Sequence, residues 1–166
     1  MALNIRNSEE LSTAWRRMHE TIAERGHADL IDGMLVSQYV TGGREFVLGL
    51  HRDPEVGAVI MVGSGGIYLE LYKDVAFGAP PMSRVKAAAM LDRTKASELL
   101  NGYRGEPALD REALISAIVA MGYLADEIGE HVQSIDINPI VVLPGDGGCL
   151  ALDAVVVPAE SARATN

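Results

Sequence analysis

The sequence has little of several features, and each shortage excludes a class of protein. Its 166 residues include one cysteine, Cys149, so no internal disulfide can form and a reducing, cytoplasmic setting is favoured. No apolar run approaches the roughly 20 residues that span a bilayer, so no membrane partner is expected. The first residues lack the long apolar core of a signal peptide. Basic residues are also scarce. The chain has 14 Lys and Arg against 23 Asp and Glu, and its net charge of −9 argues against a nucleic-acid-binding face.

The residues that are present predict a globular domain. Apolar residues make up 48% of the chain and charged residues 22%, which is enough apolar material for a buried core. Short strand patterns between turn signals predict antiparallel hairpins, because parallel strands need long crossover connections. Helical patterns stand before and after these strands. The sequence therefore predicts an α+β fold, in which a mostly antiparallel sheet has helices packed on one face.

The predicted elements follow from hydrophobic periodicity and from turn and capping residues. Strands are expected over the ranges 34–40, 45–52, 58–62 and 67–72, with a strand end at 3–5. Four helices are expected. The first is capped by Asn7 or Ser8 and ends near Arg25, the second is capped by Ser83 and ends near Leu91, the third covers 94–100, and the fourth is capped by Asp110 and ends near Ile128. In the first helix the residues at helical spacing predict a buried stripe: Leu11, Trp15, Met18 and Ile22. Residues 159–166 are expected to form a flexible tail.

Two apolar strands near the end of the chain carry the most informative polar cluster. Asp136 and Asn138 are two residues apart in a predicted strand, so they share one face. A turn centred on Gly145 and Asp146 sets a hairpin register in which Asn138 and Asp153 are direct cross-strand neighbours. A carboxylate and an amide oxygen this close suit one Mg²⁺. The alternative is that the same residues only cap the turn.

Six segments, taken together and in order, resemble one family. They are 35–40, 44–54, 62–70, 73–77, 99–105 and 136–139. Over roughly residues 2–157 their order and spacing resemble the ATP-grasp domain of the NDP-forming acyl-CoA synthetases, which include ADP-forming acetyl-CoA synthetase and are related to the succinyl-CoA synthetase β-subunit. The resemblance implies that residues 1–158 form the C-terminal part of an ATP-grasp domain, with the N-terminal subdomain missing. A fragment, a misassigned start and a natural half-protein all remain open.

The resemblance also implies roles for individual residues, although no catalytic residue is assigned. Asn138 and Asp153 match the family's Mg²⁺ ligands, and Asp136 matches an acidic position beside them. Six residues are implied to bind the nucleotide, ATP or ADP: Gln38, Glu45, Gly63, Gly65, Gly66 and Glu70. The first two belong to the adenine side of the site, and the glycines lie near the transferred phosphoryl group. Ordinary strand, turn and ion-pair roles are the alternatives for these six residues.

The function implied by the resemblance is the nucleotide- and Mg²⁺-binding part of an ADP-forming acid–CoA ligase. In that family acid, CoA and ATP give acyl-CoA, ADP and phosphate through a phosphohistidine on another domain. The expected partners are the CoA-binding domains or a subunit of the same enzyme, in a homo-oligomer or a hetero-complex, and the isolated chain is expected to be inactive. Two alternatives stay open: a non-catalytic interaction or oligomerisation module, and another ATP-grasp carboxylate ligase.

Overall fold

The structure is a computed structural model that describes residues 1–65, 74–102, 105–128 and 131–159. The chain divides into two compact units, a first unit of Met1–Thr41 and a second unit of Gly42–Asn166. All strands found among the described residues belong to the second unit. The strand predicted at 67–72 and nearly all of the predicted tail lie outside the described residues.

The first unit contains one long helix, α1 (Ser8–Glu24), which begins where the capping signal predicts. The Asn7 side chain accepts a hydrogen bond from the Glu10 amide at 2.9 Å, and the Glu10 carboxylate accepts one from the Arg6 amide at 2.8 Å. The predicted buried stripe is wrong, because no residue of α1 is buried and Trp15 is 43% exposed. A unit of this length offers too little apolar chain to cover that face.

After α1 the chain forms one short 3-10 turn, Ala28–Leu30, and continues to Thr41 without a strand. The strands predicted at 34–40 and at 3–5 are therefore wrong. A strand is held by hydrogen bonds to a neighbouring strand, and no described residue pairs with either segment. Apolar alternation alone does not supply that neighbour.

The sheet of the second unit begins with three antiparallel strands: β1 (Arg44–Asp53), β2 (Gly57–Ser64) and β3 (Val75–Gly78). The turn between β1 and β2 is organised by Asp53, whose carboxylate accepts hydrogen bonds from the Glu55 and Val56 amides at 2.8 and 3.0 Å. The bonds from Val56 and Glu55 hold the pKa of Asp53 below its usual range. Predicted and observed boundaries agree within two residues for β1 and β2.

Three further strands complete the described sheet: β4 (Val132–Val142), β5 (Cys149–Ala151) and β6 (Ala154–Pro158). The strand order is β3-β2-β1-β4-β5, and β6 pairs with the first half of β4 along the same edge as β5. Every pairing between the described strands is antiparallel, as predicted for this sheet.

Among the described residues, three helices pack on one face of this sheet: α2 (Arg84–Leu91), α3 (Ser97–Leu100) and α4 (Arg111–Glu127). The caps of α2 and α4 are the predicted ones, since Ser83 and Asp110 each accept a hydrogen bond from the amide three residues later. The third helix is shorter than predicted. The Thr94 and Ser97 hydroxyls bond to carbonyl oxygens three residues earlier, and such local bonds compete with helix formation.

The hydrophobic core lies between the sheet and the helices. Its fully buried large side chains come from β1, β2 and β4 and from all three helices, and they include Phe46, Leu48, Ile60, Val62, Met90, Leu91, Leu100, Leu114, Ile118 and Val142. The predicted α+β class, with helices on one face, is confirmed. Among the described residues, every helix is too short or too polar to cross a lipid bilayer.

Candidate functional site

The polar pair predicted across the last hairpin is present. Ile140 pairs with Ala151 of β5 and Ile137 pairs with Ala154 of β6, so the hairpin keeps one register on both sides of Asn138. The Asn138 amide donates a hydrogen bond to the Asp153 carbonyl oxygen at 3.1 Å, and the Leu152 amide donates one to the Pro139 carbonyl oxygen at 3.0 Å. Asn138 and Asp153 are therefore cross-strand neighbours, which confirms the predicted register.

The three predicted metal ligands lie on the face of the sheet opposite α2, α3 and α4, which we call the open face. Val47 and Val141 of this face are nevertheless buried. Ile135 and Ile137 pack in the core, so Asp136 and Asn138, which alternate with them, point the other way. Asp153 shares this face because directly paired residues point to the same side of a sheet. Asp136 and Asp153 are exposed and Asn138 is half-buried. A ligand can therefore reach all three side chains.

A β-bulge marks this point of β4. Opposite the single residue Val47 of β1, β4 has two residues, Asn138 and Pro139. A bulge re-aims the side chains of the strand that carries it. Here it leaves Asn138 on the open face, while Ile140 returns to the core.

The donor set of this cluster fits Mg²⁺. It consists of two carboxylates, Asp136 and Asp153, and the side-chain amide oxygen of Asn138. Within the described parts of the chain, no three His, Cys, Asp or Glu side chains come together as a metal cluster, so no cage of such ligands is found there. Mg²⁺ does not need one, because it usually binds one or two carboxylates, keeps several waters and takes substrate phosphates as further ligands.

Asp110 ties the hairpin to α4. Its carboxylate caps the helix through the Ala113 amide at 2.9 Å and also accepts a hydrogen bond from the Gly148 amide at 3.0 Å. Its own amide donates to the Leu143 carbonyl oxygen at 2.8 Å. One residue therefore fixes the turn that sets the register of the polar pair. Burial, and after it the charge of Asp110, raises the pKa of the neighbouring Cys149 thiol.

The glycines at the end of β2 are required by close packing of the backbone. A Cβ atom at Gly63 would lie 2.2 Å from the Asp74 carbonyl oxygen, and one at Gly65 would lie 2.8 Å from the Phe46 carbonyl oxygen. Real Cβ atoms do not approach oxygen so closely, so a side chain at either position would displace the neighbouring backbone. Close backbone packing alone therefore explains why glycine occupies positions 63 and 65.

This glycine segment, residues 63–65, lies in the same row of the sheet as the polar pair. Gly63 is paired with Val47, and Val47 is the residue opposite the bulge at Asn138. Adjacent strands are about 4.8 Å apart, so the Gly63 and Asn138 backbones are separated by about 10 Å. The two features therefore lie in one row of the sheet, and Val47, which lies between them, is fully buried.

Two amides of the glycine segment are already used within the chain. The Ser64 amide donates to the Asp74 carbonyl oxygen at 3.1 Å, and the Gly65 amide donates to the Glu45 carbonyl oxygen at 3.0 Å. These two amides are not directed toward a ligand. Direct contact between a glycine amide and phosphate stays a prediction for Gly66, which lies outside the described residues.

The remaining predicted residues are only partly brought together. Glu45 is exposed on β1 and is next to the glycine segment through its carbonyl oxygen. Gln38 is exposed and belongs to the first unit. Glu70 lies outside the described residues. The nucleotide roles of these three residues stay predictions.

Sequence interpretation assigned Asp74 no role, although segment 73–77 is one of the six that carry the family resemblance. Its carboxylate accepts hydrogen bonds from the Ser64 hydroxyl and from the Lys95 and Ala96 amides. The available signal was an aspartate placed directly before a strand, because aspartates at such junctions often bond to backbone amides. The sequence gives no indication that these amides come from a helix-forming segment about twenty residues later.

Comparisons with known proteins identify the family. A profile of the ATP-grasp domain matches residues 1–157. The β subunit of ADP-forming acetate–CoA ligase I from Pyrococcus furiosus is 37% identical over 156 residues, which cover 93% of this chain and 66% of that protein. The β subunit of ligase II from the same organism is 34% identical over 155 residues, with the same two coverages of 93% and 66%.

A solved structure agrees with these sequence matches. It is dinucleotide-forming acetyl-coenzyme A synthetase 1 from Ca. Korarchaeum cryptofilum in complex with coenzyme A and Mg-AMPPCP, with a TM-score of 0.80 and 32% identity over 95% of this chain and 67% of that one. This chain spans about two thirds of the length of the Pyrococcus subunits. The resemblance read from the sequence is confirmed: the chain belongs to the ATP-grasp domain family and is similar to the β subunits of ADP-forming acetate–CoA ligases.

Proposed function

We propose that this chain is the nucleotide- and Mg²⁺-binding part of an ADP-forming acyl-CoA synthetase. The overall reaction would convert acid, CoA and ATP into acyl-CoA, ADP and phosphate through a phosphohistidine carried by another domain. The observation that carries the proposal is the pairing of Asn138 with Asp153 on the open face, in a member of the ATP-grasp domain family. Metal-dependent phosphoryl transfer needs such oxygen ligands where the nucleotide phosphates bind.

The geometry supports a phosphate chain that reaches from the polar pair to the glycine segment. About 10 Å separate Asn138 from Gly63, and a nucleotide polyphosphate with its metal ion is of comparable length. Asn138 and Asp153 would hold Mg²⁺, with Asp136 beside them. When bound, the ion neutralises phosphate charge and orients the transferred group. The chain needs this neutralisation, because its own net charge is −9 and the exposed carboxylates of Asp136 and Asp153 would otherwise repel the nucleotide.

The proposed partners are the CoA-binding domains, or a separate subunit, of the same enzyme. Two of the relatives are named as subunits, and the similar solved structure is described with coenzyme A and with a phosphohistidine segment that points towards its nucleotide-binding site. The isolated chain is then expected to form no acyl-CoA from acid, CoA and ATP. We place the assembly, as a homo-oligomer or hetero-complex, in the cytoplasm, in keeping with a chain whose single cysteine is a free thiol.

The outer edge of the sheet favours a second candidate, a non-catalytic interaction module. Four large apolar side chains on or beside β5 and β6 are 40–56% exposed: Leu150, Leu152, Val155 and Val156. They lie along the β5 and β6 edge of the sheet, and an exposed apolar edge is a ready site for pairing with another chain. One measurable property separates the two proposed functions. A nucleotide-binding chain needs Asp153 for metal-dependent nucleotide binding, whereas an interaction module does not.

Isothermal titration calorimetry of the purified chain with ADP in the presence of Mg²⁺ tests the proposal. We expect saturable binding that is abolished by EDTA and weakened about tenfold or more by Asp153→Ala, the range seen when a metal site loses a supporting group. Asp146→Ala is the matched control, since Asp146 is exposed in the turn of the same hairpin. Absence of Mg²⁺-dependent binding by the parent chain would refute the proposal, as would equal affinities for the two variants.

A further inference from the structure

One carboxylate links the glycine segment to the helical layer. Asp74 Oδ2 accepts hydrogen bonds from the Ser64 hydroxyl at 3.0 Å and from the Ala96 amide at 2.7 Å, while Oδ1 accepts one from the Lys95 amide at 2.8 Å. Both oxygens are therefore used, and the partners come from two separate elements. Hydrogen bonds to an ionised carboxylate are about twice as strong as neutral ones.

The helical side of this link is firmly anchored. Lys95 and Ala96 belong to the turn that leads into α3, whose side chains enter the core. Ala96 is 2% exposed, Thr94 3% and Leu100 1%. Such a turn cannot shift without disturbing close-packed side chains. Asp74 therefore fixes the position of Ser64 relative to the core.

Asp74 forms two hydrogen bonds with Ser64 at the end of β2. Its carboxylate accepts from the Ser64 hydroxyl, and its carbonyl oxygen accepts from the Ser64 amide at 3.1 Å. That carbonyl oxygen is also the atom that a side chain at Gly63 would strike. The end of β2 is thus fixed by one residue through side-chain and backbone contacts together.

We propose that Asp74 is a positioning residue for the nucleotide site. Asp74 links Ser64 to the turn before α3 and so fixes the position of the glycine segment relative to Asn138. The inference rests on the proposed function, in which the glycine segment lies near the terminal phosphate. Asp74 does not touch the nucleotide. Its loss would loosen the segment, and a triphosphate would lose more affinity than a diphosphate because only the triphosphate reaches that end of the row.

The test compares affinities for Mg–ADP and Mg–AMPPCP in five proteins: the parent, Asp74→Asn, Ser64→Ala, the double variant of these two, and Asp92→Asn. Ser64→Ala removes one contact of the link and leaves the bonds to Lys95 and Ala96, so it keeps the test decisive if Asp74→Asn does not fold. Asp92→Asn is the control, because Asp92 lies in the same connection but forms an exposed ion pair with Arg111.

We expect Ser64→Ala and Asp74→Asn to weaken Mg–AMPPCP binding by about tenfold, the size of a lost charge-assisted hydrogen bond, and to change Mg–ADP binding by less than about twofold. Asp92→Asn should match the parent with both nucleotides. In the double variant the losses should be less than additive, since both substitutions break the same contact.

A merely structural role for Asp74 would lower thermal stability and weaken both nucleotides in equal proportion, which would overturn the inference. Folded variants with parental affinity for both nucleotides would overturn it too. If the parent binds neither nucleotide, the proposed function fails and the positioning role falls with it. If the parent binds and only the expected difference is missing, the positioning role alone is wrong.

Discussion

A methyl group added at Gly63 should destabilise the second unit more than its size suggests. The Cβ of Gly63→Ala would lie 2.2 Å from the Asp74 carbonyl oxygen and 2.8 Å from the Val75 Cγ1 atom. The carbonyl oxygen belongs to backbone that is itself paired, so it cannot rotate away as a flexible side chain could. Either β2 and β3 separate at this point or the Asp74 backbone moves.

The magnitude has two parts. Overpacking of a well-filled site costs about 1–3 kcal/mol. Displacement of the Asp74 carbonyl oxygen also breaks its hydrogen bond with the Ser64 amide, at about 1 kcal/mol. We therefore expect Gly63→Ala to lower the free energy of unfolding by about 2–4 kcal/mol. That is a large share of the roughly 5–15 kcal/mol that holds a typical domain together.

Gly49→Ala is the matched control, because Gly49 lies in the neighbouring strand and is paired with Met61, two residues before Gly63. A Cβ at Gly49 would have its nearest atoms at 3.4–3.8 Å, which are ordinary contacts. Removal of a strand glycine should then be neutral or stabilising by roughly 0.5–1 kcal/mol. A Gly63→Ala variant as stable as Gly49→Ala would refute the steric argument.

Urea denaturation followed by far-ultraviolet circular dichroism is the suitable assay. The chain has one tryptophan, and Trp15 is in the first unit, so tryptophan fluorescence would report on the wrong part of the molecule. Hydrogen exchange at the Ser64 amide gives a local check. Its protection should fall in Gly63→Ala and remain in Gly49→Ala, since the bond to Asp74 is disturbed only in the former.

Two further predictions concern single carboxylates. Asp110→Ala removes the acceptor for the Ala113 and Gly148 amides, so it should lower the free energy of unfolding by about 1–2 kcal/mol in urea titrations. Asp110→Asn keeps a capping oxygen and should lower the free energy of unfolding by less. Equal losses in the two variants would contradict the capping role. For Asp53, the lowered pKa means that the folded state favours the ionised carboxylate. The stabilisation of the folded state by this carboxylate is therefore present above the unfolded-state pKa and is lost as pH falls through the folded-state pKa. The stability difference between the parent and Asp53→Asn should therefore shrink as pH is lowered below the ordinary value of 3.8, and a difference that is constant with pH would count against this linkage.

The last hairpin shows what local sequence can predict well. Its turn residues fix where the chain reverses, and a reversal at a known point fixes every cross-strand pair that follows. The opposition of Asn138 and Asp153 is therefore readable without coordinates. The helix caps at Asn7, Ser83 and Asp110 are readable for the same reason, since each is decided within about four residues of chain.

The errors arise where the answer depends on distant residues. The strand pattern at 34–40 has the right alternation, but no described residue pairs with it. The apolar stripe of α1 has the right spacing, but no residue of that helix is buried. The bulge opposite Val47 has one local signal, Pro139, because proline inside a sheet is confined to edge strands, strand starts and bulges. Its partner residue in β1 depends on how two distant strands are paired.

By itself, the sequence determined the helix starts, the β1–β2 and β4–β5 reversals, the polar pair and the family, because each depends on neighbours in the chain or on residue order. Only the tertiary structure decided what surrounds them. It placed Gly63 level with Asn138 across β1, gave Ser64 and Gly65 partners for their amides, and brought Asp74 to the turn before α3. These contacts join segments far apart in the chain, and burial and backbone pairing, rather than local preference, bring them together.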